Sequence, residues 1–210
     1  MKDTPLKFVT LEGIEGVGKS TATVTITNTV AALGYETTVT REPGGTKIGE
    51  EIRSLLLAPE QTGITPLSEL LLLSASRAQH IEEIILPALR QGKFVISDRF
   101  TDASFAYQGA GRGLDSSIVQ AVSKLVVKNL QPSLTFLLDA PPSLGLSRVA
   151  QRNEQLDRFE KENLDFFERV RKEYLRRAQH DPERMFIIDA SADRTTVNNR
   201  IESIIREKFG

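Results

Sequence analysis

Apolar residues fall into two regimes along the chain. Short runs rich in β-branched and aromatic residues, Leu6-Lys-Phe-Val-Thr-Leu11, Glu36-Thr-Thr-Val-Thr40, Lys93-Phe-Val-Ile-Ser97, Ser133-Leu-Thr-Phe-Leu-Leu138 and Met185-Phe-Ile-Ile188, predict five strands. Between them apolar positions recur every three or four residues. That spacing predicts helices over Ser20–Leu33, Ile48–Ala58 (stopped by Pro59), Pro66 to about Gln91 (kinked near Pro87), Leu114–Leu130 and Thr195–Lys208. From Ser143 to about His180 the chain is charged and mostly helical, with a break expected around Asn153–Leu156. The first helix carries a run of threonines, poor helix chemistry for which tertiary packing must compensate.

Strands alternating with helices predict an α/β fold with a five-stranded parallel sheet, in which ligands gather at the C-terminal strand ends. The length of 210 residues suits a single domain, 1–210. A net charge of -1, from 27 basic and 28 acidic residues, gives no global field for nucleic acid or membrane. With no cysteine and two histidines, disulfides, thiolate chemistry and histidine metal clusters are set aside. No apolar run reaches the roughly 18 residues of a membrane span and no leader is evident, so a cytoplasmic enzyme is expected.

Chemistry enters at Gly13-Ile-Glu-Gly-Val-Gly-Lys-Ser20, a G-x-x-x-x-G-K-S loop between a strand and a helix. Gly13, Gly16 and Gly18 let backbone N–H groups point inward at a polyphosphate, next to a helix N-terminus. Lys19 can bridge the outer phosphates, and the Ser20 hydroxyl can ligate Mg²⁺. The expected ligand is a Mg-nucleoside triphosphate, held by the loop from Gly13 through Ile14, Glu15, Gly16, Val17, Gly18, Lys19 and Ser20 to Thr21.

Three P-loop classes compete. No N-K-x-D or D-x-x-G loop stands where a GTPase needs one, whereas two strands end in an acid, Asp98 and Asp139, as an ATPase metal strand does. Asp98 is followed at once by Arg99, which pairs a metal-side acid with a phosphate-binding cation and suits a site where two phosphorylated molecules meet. Arg148, Arg152 and Arg158 read equally as a mobile lid, at about 143–160, or as a solvated face balanced by Glu154, Asp157, Glu160 and Glu162.

Six motifs in order, Glu12-Gly-Ile-Glu-Gly-Val-Gly-Lys-Ser-Thr21, Arg41-Glu-Pro-Gly-Gly-Thr46, Glu51-Ile-Arg-Ser-Leu-Leu-Leu57, Asp98-Arg-Phe100, Ala106-Tyr-Gln-Gly109 and Leu156-Asp-Arg-Phe-Glu160, give the chain its resemblance to the thymidylate kinases. The resemblance implies the P-loop nucleoside monophosphate kinase fold with a helical lid. It also implies transfer of the γ-phosphoryl group of Mg-ATP to dTMP in dTTP synthesis for DNA replication, and a homodimer. By position, Glu15 approaches the acceptor's sugar and phosphate end, Arg99 grips the acceptor phosphate and Asp98 orients the Mg²⁺ shell. Pro43 forms an acceptor-side wall; Arg53 either contacts the acceptor phosphate or makes a helix-surface salt bridge. Arg77 and Ser104 match the residues that hydrogen-bond the pyrimidine, and Tyr107, with Gln108 beside it, matches the tyrosine that crowds the 2′ position.

Two departures stand out. Leu73 occupies a position where the family often has a phenylalanine stacked on the base, so about 0.5–1.5 kcal/mol of stacking is absent. The Arg152–Arg158 stretch runs one residue longer than the family pattern. Because Ile14–Val17 contains no arginine, the transition-state cations are expected from the lid, Arg148 and Arg152, as in the bacterial enzymes with lid arginines. A phosphate oxygen is already nucleophilic at neutral pH, so no general base is needed, and His80 and His180 are expected to be structural or exposed. The readings left open are another nucleoside monophosphate or deoxynucleoside kinase, and a nucleotide-binding module without turnover.

Overall fold

The computed structural model describes residues 5–152 and 155–210. Five parallel strands, β1 Phe8–Glu12, β2 Thr37–Arg41, β3 Phe94–Asp98, β4 Leu134–Asp139 and β5 Met185–Asp189, lie in the order β2-β3-β1-β4-β5. Each strand sits within a residue or two of its apolar run. β1 is buried along its whole length, Thr10 and Glu12 included, because it has neighbours on both edges and helices on both faces.

Helix α1 (Lys19–Ala32) packs its buried Ala22, Ile26 and Val30 on the sheet. Its threonines turn their hydroxyls back onto the helix, Thr23 to the Lys19 carbonyl at 3.0 Å and Thr27 to that of Thr23 at 2.8 Å, while Thr25 reaches Asn198 of α9 (Arg194–Phe209) at 2.9 Å. α2 (Lys47–Leu57) starts on a Thr46 cap and α3 (Pro66–His80) on a Thr65 cap. The irregularity expected at Pro87 lies just before it. Ile81–Ile85 forms a π-helical turn, and Pro87 then sits in the first turn of a short α4 (Leu86–Arg90), where a missing N–H is tolerated.

The structure adds an element that periodicity missed. α5 (Thr101–Ser104) runs into a π-helical segment, Phe105–Gly111, whose polar start and closing glycines hide it from a 3.6-residue pattern. α6 (Ser116–Val127) is shorter than expected at both ends. α7 (Pro142–Ala150) stops early, and among the described residues regular helix resumes at α8 (Leu164–His180), capped by Asn163, so the break extends beyond 153–156 on both sides. Asn153, around which the break was centred, lies outside the described residues.

Candidate active site

β1 and β3 are neighbours, with Leu11 opposite Asp98, but the chain leaves them in opposite directions, toward β2 and toward β4. That makes the gap above their C-terminal ends the switch point of the sheet. The glycine loop fills one side of it. Gly16 has φ 75°, and a Cβ there would stand 2.1 Å from the Gly145 carbonyl oxygen of α7, so only glycine lets loop and helix approach this closely. Ile14 and Val17 turn their side chains into the core, leaving their backbone to face a ligand. Lys19 folds over the loop, donating to the carbonyls of Ile14 at 2.8 Å and Gly13 at 3.2 Å. Burial first, and then the charge of Arg99, lower its pKa, a situation that a polyphosphate would relieve.

A cavity of about 380 Å³ opens from the loop across the strand ends. Glu15, Gly16, Gly18, Lys19 and Ser20 form one end, and Asp98 and Arg99 the floor. Pro43, Arg53, Leu73, Arg77, Ser104, Tyr107 and Gln108 form the other end, so these distant positions do converge. Thr21 is not among the cavity-lining residues. Arg99 pairs with Glu15 at 2.7 Å rather than with Asp98, and its guanidinium lies 4.5 Å from the Tyr107 ring centre. Tyr107 donates to the same Glu15 carboxylate at 2.8 Å. Burial opposes the Arg99 charge, but Tyr107 and Glu15 overcome it and hold the pKa well above the ordinary arginine value. Asp98 Oδ1 is buried with no hydrogen-bond partner among the described residues.

At the far end Arg77, 2% exposed, donates from Nε to Glu42 at 2.6 Å, from Nη1 to Ser104 Oγ at 3.0 Å and from Nη2 to the Phe100 carbonyl at 2.9 Å. Three of its five N–H groups are thereby fixed. His80 is structural, bridging Glu42 at 3.0 Å and Thr40 at 2.6 Å, and His180 bonds its own helix at the Arg176 carbonyl. Arg53 donates to the Pro43 carbonyl at 3.0 Å, in place of a helix-surface salt bridge; burial and then Arg41 lower its pKa. Gln108 is held by Glu69 at 2.8 Å.

The expected lid arginines separate. Arg152 lines the cavity and pairs loosely with Glu160 at 3.5 Å, whereas Arg148 lies outside it, donating to the carbonyls of Ala190 at 3.1 Å and Gly16 at 3.4 Å. Arg158 is tied to Glu69 at 2.6 Å and the Leu56 carbonyl at 2.8 Å. Sequence reasoning gave no role to Glu42, Phe159 or Glu160, which also line the cavity, although each lies within a quoted motif. Nor did it assign Glu12, fully buried below the floor, where the Phe100 N–H donates to it at 2.8 Å and the Tyr174 hydroxyl at 2.7 Å. Burial, and then the Asp102 charge, push Glu12 up to about 8.

Two sets of cations facing each other across one cavity are what phosphoryl transfer between two anions requires, and on this sheet they define the class of P-loop nucleotide kinases. The comparisons narrow the class. Residues 11–201 match the family model described as thymidylate kinase. A thymidylate kinase of Geobacter sp. (strain M21) is 45% identical over 207 residues, spanning 96% of this chain and 92% of the relative. That of Neisseria meningitidis serogroup A is 47% identical over 205 residues, spanning 97% and 98%. A crystal structure of thymidylate kinase from Ehrlichia chaffeensis superposes with a TM-score of 0.76 at 33% identity, covering 95% of this chain and 97% of that one. The chain belongs to the thymidylate kinase family, and its activity is the phosphorylation of dTMP with ATP as co-substrate.

Proposed function

We propose that the cavity works as a three-part site, with ATP phosphates on the glycine loop, dTMP between Arg99 and Arg77, and Arg152 closing over the transferred group. The observation that carries this reading is that the Arg99–Glu15 pair beside Lys19 and the Arg77–Ser104 pair belong to one cavity of about 380 Å³. Arg77 offers only donors, which suits the keto oxygen of thymine and opposes the amino group of cytosine. Leu73 and Pro43 cover the ring. Tyr107, pinned by Glu15, occupies the space that a ribose 2′-hydroxyl would need.

With both phosphates aligned, a dTMP phosphate oxygen forms the new bond to the γ-phosphorus while the bond to the ADP bridging oxygen breaks. No proton has to be abstracted, and alignment with charge neutralisation supplies the catalysis. Ser20 and Asp98 are the residues that would hold Mg²⁺, and the unpartnered buried Asp98 oxygen fits a hard cation. The metal, when bound, offsets charge developing on the phosphates. The segment at 143–160 serves as the lid, with Arg152 as its catalytic arginine and Arg148 steadying the back of the loop on the donor side.

Two copies pair through α3 and α6, where Leu67, Leu71, Ile118 and Leu125 are exposed. The whole of 1–210 acts as one domain, in the cytoplasm, feeding dTTP synthesis for DNA replication. Steady-state ADP formation from Mg-ATP with dTMP, dUMP, dCMP, dGMP and thymidine supplied separately tests the pocket. A strong preference for dTMP supports it; equal turnover of dCMP, or activity on thymidine alone, overturns it.

A further inference from the structure

Arg99 has φ 71°, in the left-handed region that a side-chain-bearing residue enters only under restraint. Three hydrogen bonds supply the restraint. The Arg99 N–H donates to the Leu11 carbonyl at 2.9 Å, Ser97 Oγ donates to the Arg99 carbonyl at 2.8 Å, and the next N–H, of Phe100, donates to Glu12 Oε1 at 2.8 Å. Only the last of these is made by an ionisable side chain, and that side chain is wholly buried and anchored from α8 by Tyr174 at 2.7 Å. Phe100 is also the residue whose carbonyl accepts from Arg77 at 2.9 Å, while its ring packs edge-on to Phe8 with centroids 5.1 Å apart. One backbone unit therefore carries Arg99 on its N-terminal side and a fixed donor of Arg77 on its carbonyl.

We infer that Glu12 is a positioning residue for dTMP binding, fixing the Arg99–Phe100 backbone so that both acceptor-side arginines point into the cavity. Glu12 does not line the cavity and touches no substrate; it acts through Phe100. Without its acceptor the Phe100 N–H is left buried and unpaired, and Arg99 relaxes toward a right-handed conformation that withdraws its guanidinium from Glu15. The inference rests on the proposed role of Arg99 at the acceptor phosphate, so its test separates the two.

Calorimetric titration of dTMP and of ATP would be run on Glu12→Ala, Glu12→Gln, Arg99→Ala and the double variant Glu12→Ala/Arg99→Ala. Glu12→Ala should weaken dTMP by roughly 10- to 100-fold while moving ATP by less than about threefold. Glu12→Gln keeps a carbonyl for Phe100 and an amide for Tyr174, and should restore dTMP affinity to within about threefold of the parent. The double variant should bind dTMP no worse than Arg99→Ala, because both changes remove one interaction.

Equal losses for ATP and dTMP, failure of Gln to restore binding, or additive losses would overturn the inference. If Arg99→Ala itself binds dTMP normally, the role of Arg99 falls, and a crystal structure of Glu12→Ala then decides. Arg99 still at positive φ there would overturn the positioning role as well. Should Glu12→Ala fail to fold, Glu12→Asp withdraws the carboxylate by one methylene and must show the same selective loss of dTMP.

Discussion

Arg148 and Arg152 are four residues apart on the chain and separate in what they reach. Arg152 lines the cavity with its side chain about half-exposed, and among the described residues its carboxylate partner is Glu160, held loosely at 3.5 Å, an arrangement that suits the proposed role on the transferring phosphoryl group. Arg152→Ala should lower kcat by about 10³-fold with dTMP affinity nearly unchanged, as expected for charge felt only in the transition state. Arg148→Ala should instead raise the KM for ATP, since its partners are the carbonyls of Gly16 and Ala190; a kcat loss as large as that of Arg152→Ala would sink the division of labour. Leu73→Phe should tighten dTMP by about 2- to 10-fold through restored stacking, read from its KM, with ATP unaffected. At this scale the motifs located Glu15–Ser20, Asp98–Arg99 and Pro43, which lie at or just past the ends of β1, β3 and β2, whereas Arg53, Leu73 and Arg77 reach the cavity from within α2 and α3. The motifs were silent on Glu12 and Glu69, whose roles depend on partners such as Phe100, 88 positions away, and Arg158, 89 away. No local spacing encodes such a pairing.

Elements meet where Glu69 is buried. From α3 it accepts from Gln108 at 2.8 Å and Arg112 at 3.2 Å, both near the π-helical segment, and from Arg158 of the stretch between α7 and α8 at 2.6 Å. An acid that is fully buried persists only with such partners; its removal takes the carboxylate from Arg158, leaving it the Leu56 carbonyl, and one of two carboxylates from Arg112, which keeps Glu162. Glu69→Ala should cost about 3 kcal/mol, or about 6–12 °C in Tm, and should speed proteolysis between α7 and α8 more than elsewhere. Uniform proteolysis would show that Glu69 does not tether that stretch. The strands were legible as elements because each is a short run rich in β-branched or aromatic residues, buried along most of its length in β1, β3 and β4 but only partly covered in β2 and β5. The helix after Arg99 was not, because π geometry abandons the 3.6-residue period and because Gly109 and Gly111 mimic a loop; at Gly111 a Cβ would stand 2.6 Å from the Phe166 ring, so packing there requires glycine. Past the break expected at 153–156 the sequence was read as helix again, yet Asp157 turns its carboxylate to the N–H groups of Phe159 and Glu160 at 2.8 and 2.9 Å, a turn that competes with helix.

For the whole molecule, two buried acids set opposing limits on stability with pH. Burial is the largest influence on each. At Asp102 the guanidiniums of Arg177 and Arg184 overcome it and hold the pKa below the ordinary value of 3.8, whereas Glu12, with Asp102 adding to the effect of burial, rises from 4.5 to about 8. A depressed acid stabilises the fold above its unfolded pKa and loses that contribution as pH falls through its folded pKa, so Asp102 contributes to the acid limb. A raised acid acts with the other sign. Below pH 4.5 Glu12 is protonated in both states and exacts no penalty; between 4.5 and about 8 the unfolded chain releases the proton that the fold retains, so stability declines, and above about 8 the penalty is constant. Glutamine reproduces the protonated acid and cannot ionise. The difference in Tm between Glu12→Gln and the parent should therefore grow in favour of the variant from pH 5 to pH 8 and then level off, in calorimetric scans at fixed ionic strength. A difference that stays flat across that range would mean that Glu12 is ionised in the fold, leaving the Phe100 N–H and Tyr174 hydroxyl bonded to a buried carboxylate whose charge Arg99 and Lys19 must balance.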